Sequence, residues 1–139
     1  MVGAVVLAVP LFEEQPLPSK SASAAATGAW QPWSQQAVDA HLSEGRAVFV
    51  DFTAAWCVSC QANKKLVLER DDTIRMFNDR KIVLMRADWT RRDPEITAAL
   101  QGFGRSGVPV YALYRPGKDT LVLPEILTDS ILRDATKNL

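Results

Sequence analysis

The 139-residue sequence contains few of the residues that form disulfide frameworks and metal sites. It has two cysteines and one histidine, and its formal net charge is zero. Two cysteines cannot build a disulfide framework, and one CxxC pair with a histidine distant in sequence does not supply the four ligands of tetrahedral zinc. A neutral charge balance gives no reason to expect nucleic-acid binding. The sequence therefore indicates neither a cysteine-rich scaffold, nor a zinc protein, nor a basic nucleic-acid-binding domain.

Long apolar runs are also absent. The apolar stretch at residues 2–12 contains Pro10 and is shorter than the roughly twenty residues that cross a bilayer. It is interpretable as a signal-like leader, a locally packed segment, or the end of a transmembrane helix that begins upstream. Residues 13–28 are rich in proline, serine and alanine, which is typical of a linker. The predicted organisation is an apolar segment at 1–12, a linker at 13–33 and a folded domain at 34–139, with the fold beginning near Trp30 or Trp33.

The rest of the sequence alternates between strand and helix patterns. Its 47% hydrophobic and 23% charged residues suit one globular domain with its own core. Residues 47–52 are a near-continuous apolar run, a pattern typical of a strand covered on both faces, and residues 81–89 predict a second central strand. Residues 108–114 predict a third strand, which an Arg-Pro-Gly-Lys turn joins to a hairpin partner at 120–124.

Helices are predicted from capping residues and from apolar residues at helical spacing. The first carries His41, which we interpret as structural, and ends at Gly45. A helix that begins at the CxxC is expected to direct Ala62, Leu66 and Val67 inward. The predicted N-caps are Ser34, Asp71 or Asp72, Asp93 and Thr128. The resulting order, α-β-α-(α)-β-α-β-β-α, predicts an α/β fold with one mixed sheet and helices on both faces.

Both cysteines lie in the segment AAWCVSCQ, residues 54–61. As a structural staple the pair would stabilise little, because so short a loop removes little entropy from the unfolded chain. With zinc not indicated, a redox-active dithiol is the remaining interpretation. If the pair follows strand 47–52, Cys57 lies at a helix N-terminus, where free N–H groups and the helix dipole favour a thiolate. Cys60 would lie one turn further along, more buried, and could resolve a mixed disulfide formed by Cys57.

The segment VDFTAAWCVSC resembles the active-site strand and turn of thioredoxin-like proteins. The closer similarity is to the C-terminal thioredoxin-like domain of the membrane-embedded thiol:disulfide interchange reductases, the DsbD family. Three blocks carry it in the same order: WCVSC (56–60), ADWTRRDPEIT (87–97) and FGRSGVPVYALY (103–114). The resemblance covers roughly residues 34–139 and implies a thioredoxin-like fold.

The resemblance also implies a substrate-binding face. Pro109 matches the cis-proline that faces the dithiol in this fold, which would leave the backbone of Val108 beside Cys57 to pair with an extended substrate. Trp56 would shield the dithiol and offer apolar contact to a partner. The basic pair Arg91-Arg92 is interpreted from composition as solvated surface.

Two charged residues are expected to tune the cysteines. Asp51, six residues before Cys57, matches the buried acid of the family; desolvation should raise its pKa and make it a proton acceptor for Cys60. Lys64 stands where DsbD-type domains commonly have a glutamate. A cation there should lower the pKa of Cys57, so Lys64→Glu is expected to raise it, unless Lys64 points to solvent.

The function implied by the resemblance is that of a protein-disulfide reductase. Electrons would come from a membrane-embedded thiol:disulfide domain and pass to an extracytoplasmic thioredoxin-like or DsbD N-terminal-type domain, at the periplasmic face of the bacterial inner membrane. The domain is expected to be monomeric and to need no cofactor beyond the Cys57–Cys60 disulfide. Two alternatives remain: a free-standing or anchored thioredoxin-like protein for cytochrome maturation or general thiol reduction, and a redox-inactive peptide-binding module.

Overall fold

The structure, a computed structural model, describes residues 29–139. In chain order its elements are β1 (Trp30–Pro32), α1 (Gln35–Ser43), β2 (Val48–Thr53), α2 (Val58–Asn63), a π-helical turn (Lys64–Leu68), α3 (Asp71–Asp79), β3 (Val83–Asp88), α4 (Pro94–Gly102), β4 (Val110–Tyr114), β5 (Leu121–Leu123) and α5 (Asp129–Thr136). Within this range no helix has both the length and the apolar character of a membrane span. The apolar segment at 1–12 lies outside the described residues.

The five strands form one mixed sheet in the order β1-β3-β2-β4-β5. β3 runs parallel to both β1 and β2, while β4 is antiparallel to β2 and to β5. All six residues of β2 are buried, because neighbouring strands flank it and helices cover both its faces. The predicted mixed sheet with helices on both faces is confirmed, as is the hairpin at its end.

Alternate residues of β2 point to opposite faces of the sheet, so the core has two halves. Phe49 belongs to the half covered by α3 and α5, where its ring lies 5.1 Å from that of Phe77 and 6.3 Å from that of Tyr111. The half covered by α1 and α4 contains Val38, Val48, Val50, Phe52, Ile96 and Leu100. Burying each large apolar side chain stabilises the fold by about 1.5–3 kcal/mol.

The edge strand β1 is the element that the sequence did not predict. Its residues were assigned to the end of the linker, yet Trp30 pairs with Leu84 of β3 and is buried against the ring of Phe49. Gln31 and Pro32 are exposed, so the three residues show no alternation from which a strand could be inferred. The strand is specified by its long-range pairing with β3.

The helix that begins at the CxxC faces the core differently from the prediction. Val67 is buried as expected, but Ala62 is exposed and Leu66 is 66% exposed. Asn63 and Leu68 are buried instead. The inward face of α2 is defined by Cys60 and Asn63, and Val67 and Leu68 continue that face at helical spacing, which leaves Ala62 and Leu66 on the outer side.

Three of the four predicted caps are confirmed. The side chains of Ser34, Asp93 and Thr128 each accept a hydrogen bond from a backbone N–H in the first turn of the following helix. The cap of α3 is Arg70, one residue earlier than predicted, and Asp71 and Asp72 lie in the first turn. Acidic side chains there favour the helix through its dipole rather than as caps.

Candidate active site

The two cysteines lie at the start of α2, just after β2, and they form a disulfide with a Cα–Cα distance of 5.2 Å. Cys57 is the N-cap of α2, and its Sγ accepts a hydrogen bond from the Cys60 N–H at 3.2 Å. Cys57 is 7% exposed, whereas Cys60 has no exposed surface. A thiolate at Cys57 would therefore meet a helix N-terminus and an N–H donor, while Cys60 is shielded behind it.

The loop before β4 closes over this pair. The Val108–Pro109 peptide bond is cis, as the resemblance implied, and Pro109 is buried. Val108 is partly exposed and packs against the small apolar cluster formed by Ala54 and the two cysteines. The backbone of this loop therefore lies beside the disulfide, at the surface of the domain.

Asp51 is completely buried on β2. Burial raises its pKa, and the positive charges of Arg86 and Lys64 oppose that rise. Arg86 on β3 donates a hydrogen bond from Nε to Asp51 Oδ2 at 3.2 Å, and its Nη2 donates to Glu69 at 3.2 Å. The expected direction of the Asp51 pKa is confirmed, but the arginine that partners it was not foreseen.

Lys64 is half-buried at the start of the π-helical turn. Its charge acts on two carboxylates, those of Asp51 and Asp88. For Asp88, burial opposes ionisation, but hydrogen bonds from Thr90 and the charges of Lys64 and Arg91 outweigh it and lower the pKa. The effect of Lys64 on the Cys57 pKa stays a prediction.

Trp56 stands on the outer side of the disulfide with half of its surface exposed. Its indole Nε1 donates a hydrogen bond to the Thr90 carbonyl at 3.1 Å, and its ring centroid lies 5.9 Å from that of Trp89. The guanidinium of Arg92 lies over both rings. Sequence reasoning treated Arg92 only as solvated surface and did not single out Thr90, although both lie in the block 87–97 that carries the resemblance.

Asn63 and Thr53 are further buried polar residues that the sequence analysis missed. Asn63 Nδ2 donates hydrogen bonds to the Tyr111 hydroxyl at 2.8 Å and the Glu125 carbonyl at 2.7 Å, and its Oδ1 accepts one from the Leu127 N–H at 3.2 Å. Within residues 29–139, Thr53 Oγ1 and Asp51 Oδ1 are buried without a hydrogen-bonding partner. No local pattern predicts these arrangements, because each depends on distant segments.

A CxxC at the start of a helix, beside a loop with a cis-proline and directly after a central strand that carries a buried acid, defines a thioredoxin-like thiol-disulfide oxidoreductase. The sequence pattern described as thioredoxin-like matches residues 29–116, and the chain belongs to that family. Its redox group is the Cys57–Cys60 disulfide, and proteins of this fold that carry such a disulfide work without an external cofactor. Residues 29–139 contain no cluster of side chains suited to holding a metal ion.

Among curated proteins, the chain is similar to the thiol:disulfide interchange protein DsbD 1 of Pseudomonas aeruginosa, with 31% identity over 123 residues. That alignment covers 79% of this chain but 20% of the relative, so the chain spans about a fifth of the length of this protein.

Solved structures agree on the fold. The oxidised DsbD C-terminal domain of Neisseria meningitidis superposes with a TM-score of 0.59 at 21% identity, covering 86% of this chain and 96% of that domain. The reduced form of that domain gives a TM-score of 0.60 at 21% identity, covering 76% of this chain and 97% of that domain. A thioredoxin mutant from Halobacterium salinarum gives a TM-score of 0.57 at 21% identity, covering 78% of this chain and 86% of that thioredoxin.

Proposed function

We propose that this chain is a protein-disulfide reductase in which Cys57 is the nucleophile and Cys60 the resolving cysteine. One observation carries the proposal: the two sulfurs are bonded to each other, yet Cys57 lies at the rim of the fold and Cys60 is fully enclosed. A partner can reach the first sulfur and not the second. The pair is therefore asymmetric in the way that sequential dithiol–disulfide exchange requires.

The exchange takes two steps. The Cys57 thiolate attacks a substrate disulfide, forming a mixed disulfide and releasing one substrate thiolate. Asp51 accepts the Cys60 proton, and the Cys60 thiolate attacks the Cys57 sulfur, releasing the second substrate thiolate. Two electrons pass to the substrate, and the Cys57–Cys60 disulfide is regenerated. The raised pKa of buried Asp51 supports this role, because it brings the carboxyl closer to the working pH.

The substrate is proposed to bind as an extended segment against Val108 and Pro109, with Trp56 as its apolar neighbour. The partly exposed Val108 beside the cysteines supports this placement, since strand-like peptides bind through backbone hydrogen bonds to a free edge. Lys64 is proposed to tune the Cys57 thiolate.

The proposed electron donor is a membrane-embedded thiol:disulfide domain, and the acceptor an extracytoplasmic thioredoxin-like or DsbD N-terminal-type domain. The similarity to a thiol:disulfide interchange protein, of which this chain aligns with 20%, supports this setting. The domain would then work at the periplasmic face of the bacterial inner membrane.

Two cysteine variants test the assigned roles. Cys60→Ser leaves the attacking sulfur without its resolver, so it should accumulate a stable mixed disulfide with a nitrobenzoate-activated disulfide. Cys57→Ser keeps only the enclosed thiol and should react much more slowly. Mass spectrometry and thionitrobenzoate release report both outcomes. Equal reactivity of the two variants would contradict the roles.

The reduction potential of the Cys57–Cys60 pair tests the direction of electron flow. Equilibration against a dithiothreitol or glutathione series should give a value near the roughly −270 mV of thioredoxin. A value near the roughly −120 mV of a strong oxidant would mean that the reduced form is stabilised and that the protein makes disulfides.

A further inference from the structure

The loop between β3 and α4, residues 89–93, is fastened to the cysteine turn by two hydrogen bonds through one residue. The Ala55 N–H donates to Thr90 Oγ1 at 2.8 Å, and Trp56 Nε1 donates to the Thr90 carbonyl at 3.1 Å. Thr90 is in turn held by Asp88, which accepts a hydrogen bond from its N–H at 2.9 Å. The loop and the turn that carries Cys57 therefore form one rigid surface.

Arg92 is held on that surface by two aromatic rings. Its guanidinium carbon lies 5.5 Å from the centroid of Trp56 and 5.1 Å from that of Trp89. A guanidinium stacked on aromatic faces keeps its N–H edge free for a carboxylate. Arg92 also has a left-handed backbone, with φ at +54°. Residues other than glycine adopt that conformation at an energetic penalty, and such residues concentrate at functional sites.

Two carboxylates that border this loop are engaged elsewhere: Asp88 holds Thr90, and Asp93 caps α4. In the part of the chain that the structure describes, neither Arg91 nor Arg92 has an ion-pair partner. A free, positioned cation thus stands over Trp56, the residue that precedes Cys57.

Apolar surface adjoins that cation. Trp56 is 50% exposed, and Val58, the residue after the nucleophile, is 84% exposed. We define Trp56, Val58 and Arg92 as the docking surface. An apolar patch beside a fixed positive charge is complementary to a segment that carries both apolar and acidic side chains, and such complementarity steers association as well as selecting the partner.

We propose that this docking surface binds an acidic segment flanking the disulfide of the partner protein, with Arg92 taking a partner carboxylate. The inference rests on the proposed reductase function and specifies the chemistry of its substrate. Two electrons still pass from the Cys57–Cys60 dithiol to the partner disulfide, and Asp51 still takes the Cys60 proton; the arginine changes only how fast the partners meet and in which orientation.

The test uses two disulfide-bonded peptides that are identical except for glutamate or lysine next to the cysteine. The reduced full chain is mixed with each peptide at about 0.01 M and about 1 M salt, and the second-order rate constants of reduction are compared. Wild type should reduce the acidic peptide at least about fivefold faster at low salt, the factor expected for one charge pair about 4 Å apart in water. High salt should remove most of the difference.

Matched variants distinguish the effect of a positioned Arg92 side chain from the effect of the overall positive charge of the loop. Arg92→Glu and Arg91→Glu change the net charge equally at neighbouring exposed positions, but only Arg92 stacks on Trp56. Arg92→Glu should invert the peptide preference, Arg92→Gln should abolish it, and Arg91→Glu should retain most of it. Equal effects of the two glutamate variants, or no preference in wild type, would overturn the inference.

Uncharged hydroxyethyl disulfide distinguishes failure of the inference from failure of the function. Wild type and Arg91→Glu should reduce it at similar rates, and urea unfolding followed by tryptophan fluorescence establishes that all four proteins are folded. Wild type that reduces this compound without a charge preference would overturn the inference alone. Wild type that reduces neither it nor the peptides would overturn the proposed function and the inference together.

Discussion

Replacing Asn63 should destabilise the domain more than its size suggests, because one side chain makes three hydrogen bonds that join α2 to two other segments. Asn63→Leu keeps a similar volume but leaves the buried Leu127 N–H without a partner, which costs about 1–3 kcal/mol. The Tyr111 hydroxyl and the Glu125 carbonyl each lose a hydrogen bond worth about 1 kcal/mol. The free energy of unfolding should therefore fall by about 3–5 kcal/mol.

Urea unfolding of the oxidised protein, followed by tryptophan fluorescence, measures this loss. With a slope of about 2 kcal/mol/M, the urea midpoint should fall by about 1.5–2.5 M while the slope stays unchanged. Asn78→Leu is the control, since Asn78 is an exposed asparagine in α3. It should change the stability by less than about 0.5 kcal/mol. An Asn63→Leu protein within that same limit would refute the reasoning.

Asn63→Asp adds a dependence on pH that a purely steric effect would lack. An ionised carboxylate can still accept from the Leu127 N–H but cannot donate to the Glu125 carbonyl, and its burial raises its folded-state pKa. The folded state then binds a proton more tightly than the unfolded state. The variant should therefore be closest to wild type near pH 4 and lose stability relative to it as the pH rises toward 7. A constant difference would refute the burial argument.

Three further predictions concern the β2 strand. Because burial raises the folded-state pKa of Asp51, the folded state holds the Asp51 proton more tightly than the unfolded state does. Asp51→Asn should therefore gain stability relative to wild type as the pH rises above about 4. A difference in urea unfolding that does not depend on pH would contradict this. Phe49→Ala should lower the free energy of unfolding by about 3–5 kcal/mol, because the fully buried ring of Phe49 packs against Phe77. A loss below about 1 kcal/mol would mean that neighbouring side chains move in to fill the space left by the ring. Thr53→Val should be neutral or stabilise by up to about 1 kcal/mol, since its hydroxyl is buried without a partner within residues 29–139. A clear destabilisation in calorimetry would show that this hydroxyl is hydrogen-bonded.

Much of the fold could be predicted from the sequence because burial and capping leave local patterns. The apolar run through β2 indicated a strand covered on both faces, and the caps Ser34, Asp93 and Thr128 marked three helix starts. Asp51 at the end of that run, together with its match to the buried acid of the resembling family, predicted a buried carboxyl with a raised pKa. These features depend on side chains within a few residues of each other.

The partners of the site residues could not be predicted, because they are set by strand register and loop packing. Asp51 meets Arg86 since β2 and β3 pair in parallel with those two residues side by side, 35 positions apart in sequence. Trp56 meets Thr90 for the same reason, as the loops that follow these two strands lie at one edge of the sheet.

The sequence by itself determined which residues can exchange electrons and which strand carries the buried acid, because the CxxC spacing and the apolar run are local chemistry. Only the tertiary structure decided that Arg86 offsets the burial of Asp51, that Asn63 joins α2 to β4, and that Arg92 rests on Trp56. Hydrogen bonds and charge interactions act over a few ångströms, so the groups that shape the site are those that folding brings together from distant parts of the chain.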